Sequence, residues 1–544
     1  MTTTTQTSTS SIEDASVIDA VVVGAGFAGL YMVHLLRKRG LSVQAFERGD
    51  DVGGTWYWNR YPGCRCDVES MEYSYQFSPA LEQEWNWNER YAAQSDILAY
   101  AGHVADRFDL RRQFRFSTTV TAADWDAQRS QWRVSIAPGE PVYTRHLIMA
   151  TGCLSAANTP DFPGLKDFAG KTYHTGAWPK DGVDFAGQRV AVIGTGSSAI
   201  QSIPTLARQA AQLTVFQRTA NYSVPAQNIP LDPALAAAVK SDYADLRARN
   251  KMQPAAFGAN YPRKTDSALA ATPEEREARF EEYWRHGGFM FMGAFADVGM
   301  DLRANELAAE FVRSKIRSMV NDPATAELLC PRTVLGCKRL CADTGYFETF
   351  NRSNVTLVDV SAKPIERITA TGLITHGTHH EFDSIVFATG FDAMTGSLLR
   401  MNITGEHGLP LRAKWSAGPR TYLGLMTVGF PNLFMMTGPG SPSVLANMIT
   451  GVEQHAEFIA GFIDWARARN LRGVVPELAA EDAWVEVVNS RAATTFYPTC
   501  NSWYLGANVP GKPRVFMPYL GFPAYSEKLE SVTSNDYEGF AKYA

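Results

Sequence analysis

Two stretches of the chain share one pattern of apolar and polar positions. A β-branched run from Ile18 to Val23 meets Gly24, and LYMVHLLRKRG then sets its apolar residues at helical spacing. LSVQAFERG follows as a second strand ending on an acid, so the order is strand, tight turn, helix, strand. QRVAVIGTGSSAIQSIPTLARQAAQLTVFQRT repeats that order. The fold class predicted is α/β, with two Rossmann-like dinucleotide-binding domains.

Shorter strand patterns, QFRFSTTVTAADW, QWRVSIA and RHLIMATG, then NVTLVDV, GLITHG and DSIVFATG, read as β-meander returns to each sheet. From about Asn228 to Cys330 the period changes. ALAAAVKSDYADLRARN, TPEEREARFEEYWRHG and ANELAAEFVRSKIRSMV are periodic at 3.6 with no strand among them, which predicts a helical insertion. The last segment, with the helix VEQHAEFIAGFIDWARARN and an aromatic-rich end, is expected to fold back onto the first domain.

Composition narrows what such a chain binds. With 51 Lys+Arg against 56 Asp+Glu the formal charge is −5, and no block of like charges marks a nucleic-acid or membrane surface. Small-molecule partners are expected. Seven Cys without a regular framework predict reduced thiols and a cytoplasmic location. The pairs Cys64/Cys66 and Cys337/Cys341 lack zinc-site spacing, so no metal is expected. The N-terminal sixteen residues have no apolar stretch and carry acids, and read as a disordered tail rather than a targeting peptide.

The chemistry concentrates at the glycine turns. Gly24, Gly26 and Gly29 form GxGxxG after a strand and at the mouth of a helix, where backbone N–H groups meet a pyrophosphate. Glu47, at the end of the second strand, suits ribose hydroxyls and repels a 2′-phosphate. The aromatic loop DVGGTWYWNRYPGCRCD that follows tips this unit to FAD. In the second unit Gly194, Thr195, Gly196 and Ala199 repeat the fingerprint, and Ser197, Ser198, Ile200 and Gln201 line the helix start. Where the first unit has Glu47, the second has Gln217, Arg218 and Thr219. A guanidinium and a hydroxyl suit a 2′-phosphate, which favours NADPH.

Two longer motifs carry a resemblance. FAGKTYHTGAWP places Phe168, Gly170, His174, Trp178 and Pro179 in the order FxGxxxHxxxW(P/D), and GGTWYWNRYPGCRCD places Gly54, Trp56, Tyr61, Pro62, Gly63 and Asp67 as a second fingerprint. Both resemble type I Baeyer–Villiger monooxygenases, most of all the phenylacetone and cyclohexanone monooxygenase group, over essentially the whole chain after the tail. The resemblance implies NADPH- and dioxygen-dependent oxidation of ketones to esters or lactones through a flavin peroxide. It also implies that Arg339 is the active-site arginine and that Asp67 holds it. Lys338 would join Arg218 and Thr219 on the 2′-phosphate, and Trp503 would close over the nicotinamide cofactor. By the same match Thr55, Trp56, Tyr73, Val120 and Met448 would touch FAD, and Arg65, Cys66 and Asp67 would border the nicotinamide. His174 would anchor a hinge in a linker between domains. Val68, Cys153, Leu154, Pro442, Val444 and Leu445 would shape the substrate pocket.

The domain boundaries that follow are a tail at 1–16, an FAD-binding domain at 17–153 and 391–544, an NADP-binding domain at 154–227 and 337–390, and the helical insertion at 228–336. An N- or S-oxygenating flavin monooxygenase is the nearest competing function. A flavoprotein that lost turnover and serves as a redox-responsive binding module is the competitor from another class.

Overall fold

The computed structural model describes residues 17–261 and 263–543; the expected tail, 1–16, lies outside them. Among the described residues the first pattern forms the middle of an eight-stranded sheet. Ile18–Val23 runs parallel to Val43–Phe46 on one side and to Val142–Met149 on the other. Both faces of this strand are covered, so its inner residues Ala20 to Val23 are all buried and show no alternation. Phe27–Lys38 packs across one face and is itself covered by Met448–Ala468 from the C-terminal segment. That segment also adds Leu433–Met435 beside Val142–Met149 and Asn402–Thr404 beside Thr119–Asp126. The chain end therefore returns to the first sheet, as its pattern suggested.

The second pattern builds a five-stranded sheet in the order Val355–Asp359, Gln212–Gln217, Arg189–Ile193, Ser384–Phe387, Lys171–His174. All its pairings are parallel. Two expectations are corrected here. NVTLVDV and DSIVFATG are not meander strands but parallel additions to this sheet, and the meander Arg367–Thr369, Gly372–Thr375, Thr378–Glu381 forms a small sheet of its own. His174 does not sit in a linker loop either: it ends an edge strand, where a parallel partner arriving from residue 384 could not be read from local periodicity.

Between the sheets' sequence segments lie Pro233–Ser241, Tyr243–Lys251, Pro273–His286, Leu302–Met319 and Pro323–Leu329. Pro273–His286 starts at a capping box in which Thr272 and Glu275 satisfy each other's backbone N–H. Leu302–Met319 buries Ala304, Ala308, Phe311, Val312 and Ile316, the one-sided stripe expected of a packed amphipathic helix. Among the described residues no helix is long and apolar enough to cross a membrane.

Arg247 joins the helices to the first sheet's loops. Its Nε donates to Glu82 Oε1 at 3.0 Å, Nη1 to Glu72 O at 2.9 Å and Nη2 to Ser74 Oγ at 2.7 Å, with both side chains of the ion pair nearly inaccessible. Removing one partner of a buried ion pair strands the other. Arg247→Ala is therefore expected to cost about 3–5 kcal/mol of unfolding free energy in urea titration.

Glu453 is buried on Met448–Ala468 and accepts from Gln76 N at 2.8 Å and Phe77 N at 2.9 Å. Burial pushes its carboxyl up to about 8, against the lowering effect of those N–H donors. The folded state then holds the proton more tightly than the unfolded chain. Its stabilising contribution is complete below the ordinary carboxylate value near 4.5 and is lost as the pH rises toward about 8. The stability advantage of wild type over Glu453→Gln should shrink across that window, and a pH-independent difference in melting temperature would exclude the linkage.

One expectation about the cysteines is overturned. Cys337 and Cys500, 163 residues apart, form a disulfide with their Cα atoms 6.1 Å apart, while Cys64, Cys66, Cys153, Cys330 and Cys341 are free and buried. A pairing at that separation depends on the tertiary fold and leaves no local spacing signal.

Candidate active site

The first glycine turn is a backbone cradle. Gly24 has φ +112°, and a Cβ there would come within 2.5 Å of Ala150 O. Gly26 faces the second glycine pair so closely that a Cβ on Gly54 would lie 2.7 Å from Gly26 Cα, and Gly29 packs its helix against Gly24 O. Phe27–Lys38 opens at Gly26 with no side-chain cap, so its first N–H groups are left for an anionic ligand. Glu47 accepts from Ala25 N at 2.8 Å and from Gly49 N at 2.7 Å. Each carboxylate oxygen keeps a second acceptor site for a ribose hydroxyl. Thr118 N donates to Glu47 O at 2.9 Å and draws the start of Thr119–Asp126 alongside. The Val120 side chain lies in the apolar layer with Phe46 and Trp132, which leaves only its backbone open to a ligand.

Beyond Gly54, Thr55–Trp58 is one helical turn. Trp56 Nε1 donates to Tyr73 Oη at 3.3 Å, and the two rings meet edge-on at 5.8 Å. Tyr73 and Met448 are half-buried against the same core. These residues fit a planar, partly apolar ring system next to a pyrophosphate.

The second turn repeats the cradle. Gly194 has φ +116° with Ala388 O where a Cβ would go, and the space beside Gly196 is open. Ser197–Gln209 again starts without a side-chain cap. Thr195 Oγ1 donates to Thr219 O at 2.8 Å, and Ser197 Oγ lies 3.1 Å from Cys341 Sγ, with Ser198 half-buried next to it. The Ile200 side chain is fully buried in the core, so at this position only the backbone is open to a ligand. Arg218 and Thr219 are exposed just past Gln212–Gln217. Lys338 stands near enough that burial and the Arg218 charge together pull its ammonium down. Among the described residues neither cation pairs with a carboxylate, as expected of a site for a doubly charged phosphate.

Gln201 ties the two halves together. Its Oε1 accepts from Tyr61 Oη at 2.8 Å and its Nε2 donates to Arg65 O at 3.0 Å. Cys66 N donates to Ala92 O at 3.0 Å, Arg65 Nη1 to Tyr91 O at 2.7 Å, and Arg65 also pairs with Glu89. Pinned on both sides, the segment presents Asp67 to Arg339. Arg339 Nε and Nη2 donate to the two Asp67 oxygens at 2.8 and 2.9 Å, and Nη1 donates to Val444 O at 2.9 Å. Burial works against the guanidinium's charge, but the Asp67 carboxylate and Tyr504 together outweigh it and hold Arg339 far above the ordinary arginine value.

Two residues beside Arg339 escaped the sequence reading. Phe289 lies under the guanidinium at 5.0 Å, and the buried Tyr504 is close enough to raise its pKa. Phe289 sits in an oily glycine-rich run, and Tyr504 adjoins Trp503, whose half-buried ring meets it tilted, with centroids 4.1 Å apart. His174, buried with its imidazole pulled down by desolvation, accepts from Gly176 N at 2.9 Å through Nδ1 and reaches Thr389 Oγ1 at 3.4 Å.

Two glycine cradles, one with an acid and one with paired cations beyond it, meeting at a carboxylate-held arginine, define a two-dinucleotide flavoprotein of the oxidoreductase class. A pyridine nucleotide-disulphide oxidoreductase family model matches residues 21–258. A Baeyer-Villiger monooxygenase of Pseudooceanicola batsensis is 43% identical over 95% of both chains. Phenazine N-monooxygenase PhzNO1 of Lysobacter antibioticus is 40% identical over 97% of both. The structure of an oxidized steroid monooxygenase bound to NADP superposes with a TM-score of 0.91 at 52% identity, over 97% of this chain and 100% of that one. The chain belongs to the type I Baeyer–Villiger monooxygenase family.

Proposed function

We propose that this chain oxidises a ketone to an ester or lactone, using FAD, NADPH and dioxygen. The observation that carries the reading is the Asp67–Arg339 fork at the junction of the two cradles. We assign FAD to 17–153 and 391–544, NADPH to 154–227 and 337–390, and a covering role to the helices of 228–336. Gly24, Gly26, Gly29 and Glu47 would hold the FAD pyrophosphate and ribose, with Thr55, Trp56, Tyr73, Met448 and the Val120 backbone around it. Gly194, Thr195, Gly196, Ser197, Ser198 and Gln201 would hold the second pyrophosphate, and Arg218, Thr219 and Lys338 its 2′-phosphate. Arg65, Cys66, Asp67 and Trp503 would border the nicotinamide. When bound and reduced, the flavin supplies two electrons to dioxygen and delivers one oxygen atom to the substrate.

The residues of the chain do the rest. A guanidinium has five N–H groups, and Arg339 spends three on Asp67 and Val444. One N–H on each Nη remains for the carbonyl oxygen, which becomes anionic as an oxygen atom adds to its carbon. Asp67 fixes the plane of the guanidinium, and Phe289, Val444 and Tyr504 flank it and limit its exposure. Val68, Cys153, Leu154, Pro442 and Leu445 complete the pocket wall.

Turnover with NADPH and a panel of ketones, amines, N-heteroaromatics and sulfides tests the reading. Ester or lactone is expected from at least one ketone class. Oxidation of nitrogen or sulfur substrates with no ester from any ketone would overturn it in favour of the N- or S-oxygenating alternative. For the cofactor, Arg218→Ala should raise KM for NADPH by about tenfold to a hundredfold, the worth of charge-assisted bonds to phosphate, and leave NADH nearly unchanged. Equal loss with both would contradict the 2′-phosphate assignment. We place the protein in the cytoplasm, and its 51 basic against 56 acidic residues are consistent with no nucleic-acid partner.

A further inference from the structure

Cys337 and Cys500 stand at a position where a covalent bond has consequences. Cys337 is fully buried and immediately precedes Lys338 and Arg339. Cys500 is half-buried between exposed Thr499 and Asn501, three residues before Trp503. Among the described residues the backbone hydrogen bonds of 495–507 all close within the C-terminal segment itself. The far end of this loop is fastened separately: Asn508 Nδ2 donates to Phe391 O at 2.7 Å, and Lys512 Nζ pairs with Asp392 at 2.6 Å. The near end is fastened by the disulfide. The other five cysteines are buried, with thiols pushed up by burial, and are poor nucleophiles.

We propose that Cys337 and Cys500 form a reversible redox modification site, whose disulfide locks residues 495–507 beside Arg339 and whose reduction releases them. In a reducing compartment a disulfide is usually transient or redox-sensing, not a permanent staple. The exposed side of Cys500 is where a dithiol reductant attacks. Its thiolate bonds to Cys500 Sγ, the bond to Cys337 breaks, and Cys337 leaves as a thiolate that takes up a proton. The second thiol of the reductant then displaces Cys500 and departs as a disulfide, so two electrons and two protons pass to the protein. Hydrogen peroxide reverses the step: Cys500 thiolate attacks a peroxide oxygen to give a sulfenic acid and water, and Cys337 displaces the second oxygen as water. The consequence for cofactor exchange rests on the reading above, in which Lys338 and Trp503 hold NADPH. Locked, the loop retains the nicotinamide cofactor; released, it lets it go.

The test uses the full FAD-loaded protein, oxidised, treated with dithiothreitol, and re-oxidised with hydrogen peroxide. Three quantities are followed: peptide mapping after thiol alkylation, the rate of chymotrypsin cleavage at Trp503 and Tyr504, and the dissociation rate of NADP+. A cross-linked 337/500 peptide pair is expected only in the oxidised samples. Reduction should raise the cleavage rate roughly tenfold, because proteolysis follows the open population, and peroxide should reverse the change. NADP+ dissociation should move with it. Cys500→Ser, at the half-buried partner, should behave as reduced protein throughout and ignore both reagents. Absence of the cross-link, or cleavage and dissociation rates indifferent to its presence, overturns the proposal. Should NADP+ fail to bind in every state, the cofactor reading fails, while mapping and cleavage still decide the latch.

Discussion

Arg339→Ala is expected to keep its FAD, continue to take hydride from NADPH, and lose ester formation by at least about 10²–10³-fold, the effect of removing a preorganised donor to a developing oxyanion. The loss should fall on kcat, because the N–H groups left free by Asp67 and Val444 meet an oxygen that carries full charge only in the transition state. The Gly24–Gly29 cradle lies on separate strand and helix residues, so the flavin spectrum should be unchanged. Arg339→Lys keeps the charge but not the planar fork, and should recover only a small part of the activity. Ester formation at wild-type rate in Arg339→Ala would remove the arginine from the chemistry.

Asp67→Ala attacks the same arrangement from the other side. Two of the three hydrogen bonds that orient Arg339 disappear, and a half-buried guanidinium loses its countercharge. A side chain that is no longer held swings between orientations, so the productive one is populated only part of the time. We expect kcat to fall about a hundredfold, the usual cost of misplacing a catalytic group by an ångström. More of the consumed NADPH should be lost as hydrogen peroxide, since oxygen that is activated but not transferred leaves as peroxide. Asp67→Asn, which keeps the shape and one acceptor, should lie between. Simultaneous coupling of NADPH use to ester formation at the wild-type ratio in Asp67→Ala would show that the carboxylate does not position Arg339.

The parts of this protein that were legible from residues alone are local ones. Each βαβ unit is set by a run of some thirty residues, and the contrast between Glu47 and Arg218 is written at equivalent strand ends, so the two cradles and their preferences could be read directly. The Asp67–Arg339 pair, 272 residues apart, is different. No periodicity links the two, and only the motif resemblance brought them together. Phe289 and Tyr504 were missed because an aromatic in a glycine-rich run carries the same pattern whether it packs in a core or against a guanidinium. The side chains of Val120 and Ile200 are buried in the cores, a placement that a ligand-lining position in the sequence does not reveal, because neighbouring residues of a two-sided α/β layer face different ways. His174 and the parallel strand 384–387 that pairs with its own are set by tertiary pairing across more than two hundred residues, and the Cys337–Cys500 bond by pairing across 163.

Turnover of the wild-type protein under ¹⁸O₂, with NADPH and an accepted ketone in ordinary water, is the most direct measurement. Mass spectrometry of the product is expected to show one heavy oxygen in the new C–O–C link, with the original carbonyl oxygen unlabelled, and none of that product from Arg339→Ala. An ester or lactone without heavy oxygen, or heavy oxygen recovered entirely as peroxide while the ketone survives, would contradict the account.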